Sequence, residues 1–179
     1  MFQKNQIILF MSSSEIIKVI LLGESKVGKT SILYQYQEGK FNPEIQPSNT
    51  AQFFRKELNL ADKGKATLDI WDMSGATKYR SLAKIFLKDA HAAILVYDLA
   101  DENSFKELKE FWYSQVKDLN LVLYVVANKC DLGEKKVKDE EGKGFADSIG
   151  AGFTTVSAKE NVGIQELIEK IAEAAKNKK

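Results

Sequence analysis

The 179-residue chain has one cysteine, two arginines and no long apolar run, and neither sign of charge prevails. A single thiol, Cys130, cannot form an internal disulfide, which suits a reducing, cytoplasmic compartment. Its small, weakly polar side chain reads as a filler rather than a reactive group. No stretch reaches the ~18 apolar residues that a membrane-spanning helix requires. Lys+Arg 26 against Asp+Glu 25 leaves a formal net charge of +1, so no overall field argues for nucleic acid. The apolar patch Ile7-Ile8-Leu9-Phe10 is too short for the core of a signal peptide. Residues 1–13 are expected to form a flexible extension, with Met11 as a second candidate start. Without repeats or linkers, this length suits one domain with a single sizeable core.

What is present begins with Gly23-Glu24-Ser25-Lys26-Val27-Gly28-Lys29-Thr30, which fits G-x-x-x-x-G-K-[ST]. The glycines allow backbone N–H groups to turn inward around phosphate oxygens. Lys29 is placed to reach the outer phosphates and the Thr30 hydroxyl to bind Mg²⁺. The β-branched run Ile16–Leu22 precedes the motif and reads as a buried strand. The helix-forming segment from Ser31 onward directs its N-terminal dipole at the anion. A polyphosphate ligand is the expectation.

A second motif, Asn128-Lys129-Cys130-Asp131, follows the apolar run Leu121–Ala127. It therefore sits at the C-terminal end of a strand, where open α/β sheets place ligands. A carboxylate at Asp131 can accept from guanine's N1–H and exocyclic amine together. Adenine would leave that carboxylate unpaired, and unpaired buried polar groups discriminate strongly. Asn128 is expected to tie this loop to the phosphate loop, and the Lys129 stem to lie along the base.

Two further segments complete the constellation. Asp72-Met73-Ser74-Gly75 ends the strand-like stretch Ala66–Trp71. Asp72 is expected to hold Mg²⁺ through water, and the Gly75 amide to donate to the terminal phosphate. Ser157-Ala158-Lys159 follows Phe153–Val156, and its backbone is expected to meet the guanine carbonyl.

The order of elements alternates. Strands are expected at Ile16–Leu22, Ala51–Leu60, Lys65–Asp72, Ala92–Asp98, Leu121–Ala127 and Gly152–Val156. Helices are expected at Lys29–Gln37, Lys78–Leu87, Ser104–Lys117, Asp139–Ile149 and Ile164–Ala175. Asp62-Lys63-Gly64 marks a hairpin turn. The predicted fold class is α/β: a doubly wound, mostly parallel six-stranded sheet with one antiparallel edge strand and helices on both faces.

With these motifs in hand, the chain resembles the Ras superfamily of small GTPases, and most closely its Rab branch. The likeness runs from about Ile16 to about Ala175. It includes Trp71-Asp72, the run Ala90–Leu99, Asn103-Ser104-Phe105 and Trp112. The resemblance implies a phosphate-loop GTP-binding domain over 14–176, with 177–179 beginning a tail. It implies a GTP/GDP switch with Mg²⁺, acting in vesicle or membrane traffic as a monomer. Its partners would be effectors, exchange factors and GTPase-activating proteins. Relatives continue into a tail with prenylated cysteines that would anchor them peripherally on a membrane, and a trimmed chain is the expectation here.

By the same resemblance, Phe41 packs on guanine, Ser31 joins the phosphate site, and Ser48 coordinates Mg²⁺ and senses the terminal phosphate. Thr50 is the rival to Ser48 if the loop is differently registered. Ala76 stands where relatives carry a glutamine that orients the attacking water. Alanine has no group to bond a water, so intrinsic hydrolysis is expected to be slow. The two arginines, Arg55 and Arg80, fall outside the segments expected to touch phosphate. The two functions in view are a hydrolysing switch and a nucleotide-gated binding module reset by exchange.

Overall fold

The computed structural model describes residues 15–46, 50–60 and 64–178. The expected N-terminal extension, Ser48 and the turn residues Asp62 and Lys63 lie outside the described residues.

Six strands form one sheet: β1 (Glu15–Leu22), β2 (Gln52–Leu60), β3 (Gly64–Asp72), β4 (Ala92–Asp98), β5 (Val122–Asn128) and β6 (Gly152–Thr155). Their spatial order is β2-β3-β1-β4-β5-β6. Strand β2 pairs antiparallel with β3, with Gln52 opposite Asp72 and Leu60 opposite Gly64; all other pairings are parallel. The predicted doubly wound sheet with one antiparallel edge strand is the observed one.

Alternation along the central strands divides the core in two. Ile17, Val19 and Leu21 of β1, with Ile94 and Val96 of β4, face one layer; Ile20, Leu22, Leu95 and Tyr97 face the other. The first layer is covered by α1 (Lys29–Glu38) and α5 (Ile164–Asn177). In α5, Ile164, Leu167, Ile168, Ile171, Ala172 and Ala175 recur at helical spacing and are all buried. The second layer is covered by α2 (Ala83–Leu87), α3 (Glu102–Glu107) and α4 (Asp139–Ser148).

Two helices differ from expectation. The segment predicted as one helix over Lys78–Leu87 begins as a 3₁₀ turn, Thr77–Leu82, before α2. The helix predicted over Ser104–Lys117 is α-helical only in α3; it widens to a π turn at Leu108–Trp112 and tightens to 3₁₀ at Tyr113–Gln115. Packing explains the second difference. Leu108, Trp112 and Val116 lie four residues apart and are each 0% exposed. On a regular α-helix each four-residue step drifts by ~40°, and a wider turn absorbs that drift.

Reversal of strand order around β1 opens a crevice at the carboxyl ends of β1, β4 and β5. The phosphate loop and the Asn128–Asp131 loop both leave the sheet there.

Candidate functional site

At that crevice lies a cavity of about 480 Å³, within the range for a small-molecule site. Its floor is the phosphate loop: Ser25, Lys26, Gly28, Lys29, Thr30 and Ser31 line it. Gly28 has φ 96, and a Cβ there would press on the Asn128 side-chain amide. Only glycine meets both demands. Lys29 is 6% exposed, and its ammonium donates to the carbonyls of Gly23 at 2.8 Å and Glu24 at 2.7 Å. Burial, offset only in part by the Asp72 and Glu24 carboxylates, lowers the pKa of that ammonium to about 8.

The other wall comes from β5 and the loop after β6. Asn128, 1% exposed, donates from Nδ2 to the Val27 carbonyl at 2.8 Å and accepts from the Ala158 N–H at 3.2 Å. One side chain thus ties three loops together, including the expected link to the phosphate loop. Lys129, Asp131, Ala158 and Lys159 line the cavity. Lys129 has φ 68, and its ammonium is held by Asp98 Oδ2 at 2.6 Å. Asp131 accepts from the Ser157 hydroxyl, whose oxygen also accepts from the Glu160 N–H at 3.0 Å. Ser157 is fully buried. It orients the carboxylate from behind and does not line the cavity. The Ala158 amide, expected to face a base carbonyl, donates to Asn128 in this structure.

Toward the terminal-phosphate end, Gly75 lines the cavity, and a Cβ there would run into the backbone of Glu24 and Ser25. Asp72 is 0% exposed and accepts from the Thr30 hydroxyl at 2.5 Å. These two hard oxygen donors suit Mg²⁺, which binds through few protein ligands and keeps waters and phosphate oxygens. Among the described residues no cluster of three or more His, Cys, Asp or Glu offers a protein-only cage. Phe41, 39% exposed, forms the outer lip with Asn42, Pro43, Ile45 and Gln46. Thr50 lies elsewhere, on a smaller cavity of about 190 Å³ with Met73, Tyr79 and Phe86.

Gly23 and Val27 are buried beneath the loop, and Glu24 turns away from the cavity. The Glu24 carboxylate receives the Arg80 guanidinium at 2.5 Å and the Trp112 indole N–H at 2.8 Å. Arg80 also pairs with Glu107 at 2.9 Å and lies over the Phe111 ring at 4.4 Å. An arginine expected to stand apart from the phosphate segments is therefore fastened to the loop's outer side, without lining the cavity. Asp98, Glu107, Leu132 and Arg80 were not foreseen as site components. Leu132, directly after Asp131, lines the cavity, and its position in the motif's wake was the available signal.

A sheet of this order, with a phosphate loop after its first strand and Asn-Lys-Cys-Asp after its fifth, defines a phosphate-loop nucleotide-binding domain. A family model for the Ras family matches residues 18–177. The chain belongs to the Ras family, in its Rab branch. It is 41% identical over 154 residues to Ras-related protein Rab-21 of Bos taurus, covering 84% of this chain and 68% of that protein. Against Rab-21 of the sponge Geodia cydonium it is 38% identical over 159 residues, covering 87% and 69%. Against human Ras-related protein Rab-22A it is 37% identical over 160 residues, covering 87% and 81%. Members of this family are GTPases that bind GTP and GDP, generally with Mg²⁺.

Proposed function

We propose that this chain is a Rab-type GTP/GDP switch in vesicle or membrane traffic whose own hydrolysis of GTP is slow. The observation that carries this reading is the shared cavity: Asn128 bonds to Val27, so the loop with an acceptor for guanine is fixed to the loop for phosphates. In this reading Asp131 accepts from the guanine N1–H and amine, with Ser157 holding its carboxylate in place. Phe41 and the Lys129 stem flank the base, and Asp98 anchors the Lys129 ammonium. The amides from Gly23 to Ser31 receive the phosphates, and Lys29 exchanges its loop carbonyls for phosphate oxygens. Thr30, Ser48 and, through water, Asp72 would hold Mg²⁺, which neutralises charge on the outer phosphates when bound. Gly75 donates to the terminal phosphate, and its departure after hydrolysis frees the adjoining segment, giving two states for effectors to distinguish.

Hydrolysis joins a water oxygen to the γ-phosphorus and breaks its bond to the β–γ bridging oxygen, leaving GDP and inorganic phosphate. The Ala76 methyl offers that water no hydrogen bond, and Arg80 is engaged by Glu24 and Glu107. Both features support a low intrinsic rate that an activating protein raises. The same features favour the second reading, a nucleotide-gated binding module reset by exchange. Single-turnover GTP consumption by the wild-type chain and by Ala76→Gln separates them. Restored glutamine should speed turnover at least ~10-fold, a barrier change of about 1.4 kcal/mol. No gain, with no response to an activating protein, would favour the binding module.

A further inference from the structure

We infer that the Lys26 side chain is a cationic clamp over the outer polyphosphate that slows nucleotide release. This rests on the guanine-nucleotide reading above and adds a second lysine of the phosphate loop to the side chains that meet the phosphates.

Three observations meet at Lys26. It stands at the exposed crest of the phosphate loop, between the two motif glycines, and lines the cavity. Its φ is 67, in the left-handed region that an unbranched cationic residue does not favour. A backbone outlier in a ligand site, occupied by a charged residue where glycine would be unstrained, points to a use for the side chain. Its charge is also the available one. Lys29 is buried at the cavity floor and already assigned to the phosphates from that side, Lys129 is paired with Asp98, and Lys159 is paired with Glu160 at 3.5 Å. Among the described residues Lys26 has no ion pair and no side-chain hydrogen bond. An ammonium at the rim of a polyphosphate site gains a multiply charged partner only when nucleotide is bound. It closes over the β- and outer phosphates from the solvent side, opposite Lys29.

Release of fluorescent GDP and GTP from the intact chain tests this, with affinity for GMP as the control. Lys26→Met keeps the stem and the backbone strain and removes the charge. It should release both nucleotides about tenfold faster, with GMP affinity unchanged. Lys26→Arg should release them at nearly the wild-type rate. Lys26→Gly relieves the backbone, so fast release from it as well would assign the effect to charge. The gap between wild type and Lys26→Met should narrow near 1 M salt, where the screening length is ~3 Å. Wild-type release rates in Lys26→Met, or an equal loss of GMP affinity, would overturn the clamp while leaving the guanine-nucleotide reading intact. A wild-type chain that holds no GDP would overturn both.

Discussion

Arg80 and Glu24, 56 residues apart in sequence, meet at 2.5 Å. Their pairing ties the 3₁₀ turn after Gly75 to the phosphate loop, and Glu107 and Trp112 fasten both to the segment that follows β4. Neither side chain is fully buried: Arg80 is 19% and Glu24 18% exposed. Screening therefore trims the interaction below that of a fully buried pair. Arg80→Ala should cost about 1–2 kcal/mol in urea unfolding and raise amide exchange over residues 76–82. Glu24→Gln, which still accepts from Trp112, should cost less. Unchanged stability and exchange in Arg80→Ala would show that the turn is held by its backbone alone.

Asn128→Ala should damage stability and nucleotide retention together. The change leaves the Val27 carbonyl and the Ala158 N–H without their partner in a buried setting, at a cost of about 1–3 kcal/mol. Denaturant unfolding without nucleotide isolates the first effect, and the GDP dissociation rate reports the second. Loss of affinity with no loss of stability would mean that Asn128 serves the ligand rather than the join between loops.

Of these two sets of contacts, the Asn128 tie to the phosphate loop is legible in the sequence and the Arg80–Glu24 cluster is not. The phosphate loop and Asn128–Asp131 were legible because their chemistry depends on residues within a few positions of one another. Strand boundaries were legible because burial on both faces imposes unbroken apolar runs, as in Ala92–Asp98. The Arg80–Glu24–Trp112 cluster is different. It joins three segments through side chains whose meeting depends on the path of the backbone, and no periodicity in any one segment reports it. The π turn at Leu108–Trp112 was missed for a related reason: helical spacing alone does not reveal that Leu108, Trp112 and Val116 must all reach one layer. Asp98 read as a strand end, and only the fold shows that it anchors Lys129.

Cys130 should behave as a sluggish thiol. Burial first, and then the neighbouring Asp131 carboxylate, push its ionisation upward. The thiolate is the reacting species, so alkylation at pH 7 should be slower than that of a free small thiol and should climb with pH through the alkaline range. Mass spectrometry after timed iodoacetamide exposure measures this. A rate equal to that of the free thiol would contradict the environment described for this loop.

In the proposed switch one guanine ring is held at Asp131 while its phosphates rest in the loop from Gly23 to Thr30. Calorimetric titration with GDP, ADP and xanthosine diphosphate, on the wild-type chain and on Asp131→Asn, tests it most directly. Wild type should prefer GDP over ADP by ~10⁴ or more, and Asp131→Asn should shift preference toward the xanthine nucleotide. Equal affinity for GDP and ADP, or an undiminished guanine preference in Asp131→Asn, would contradict it.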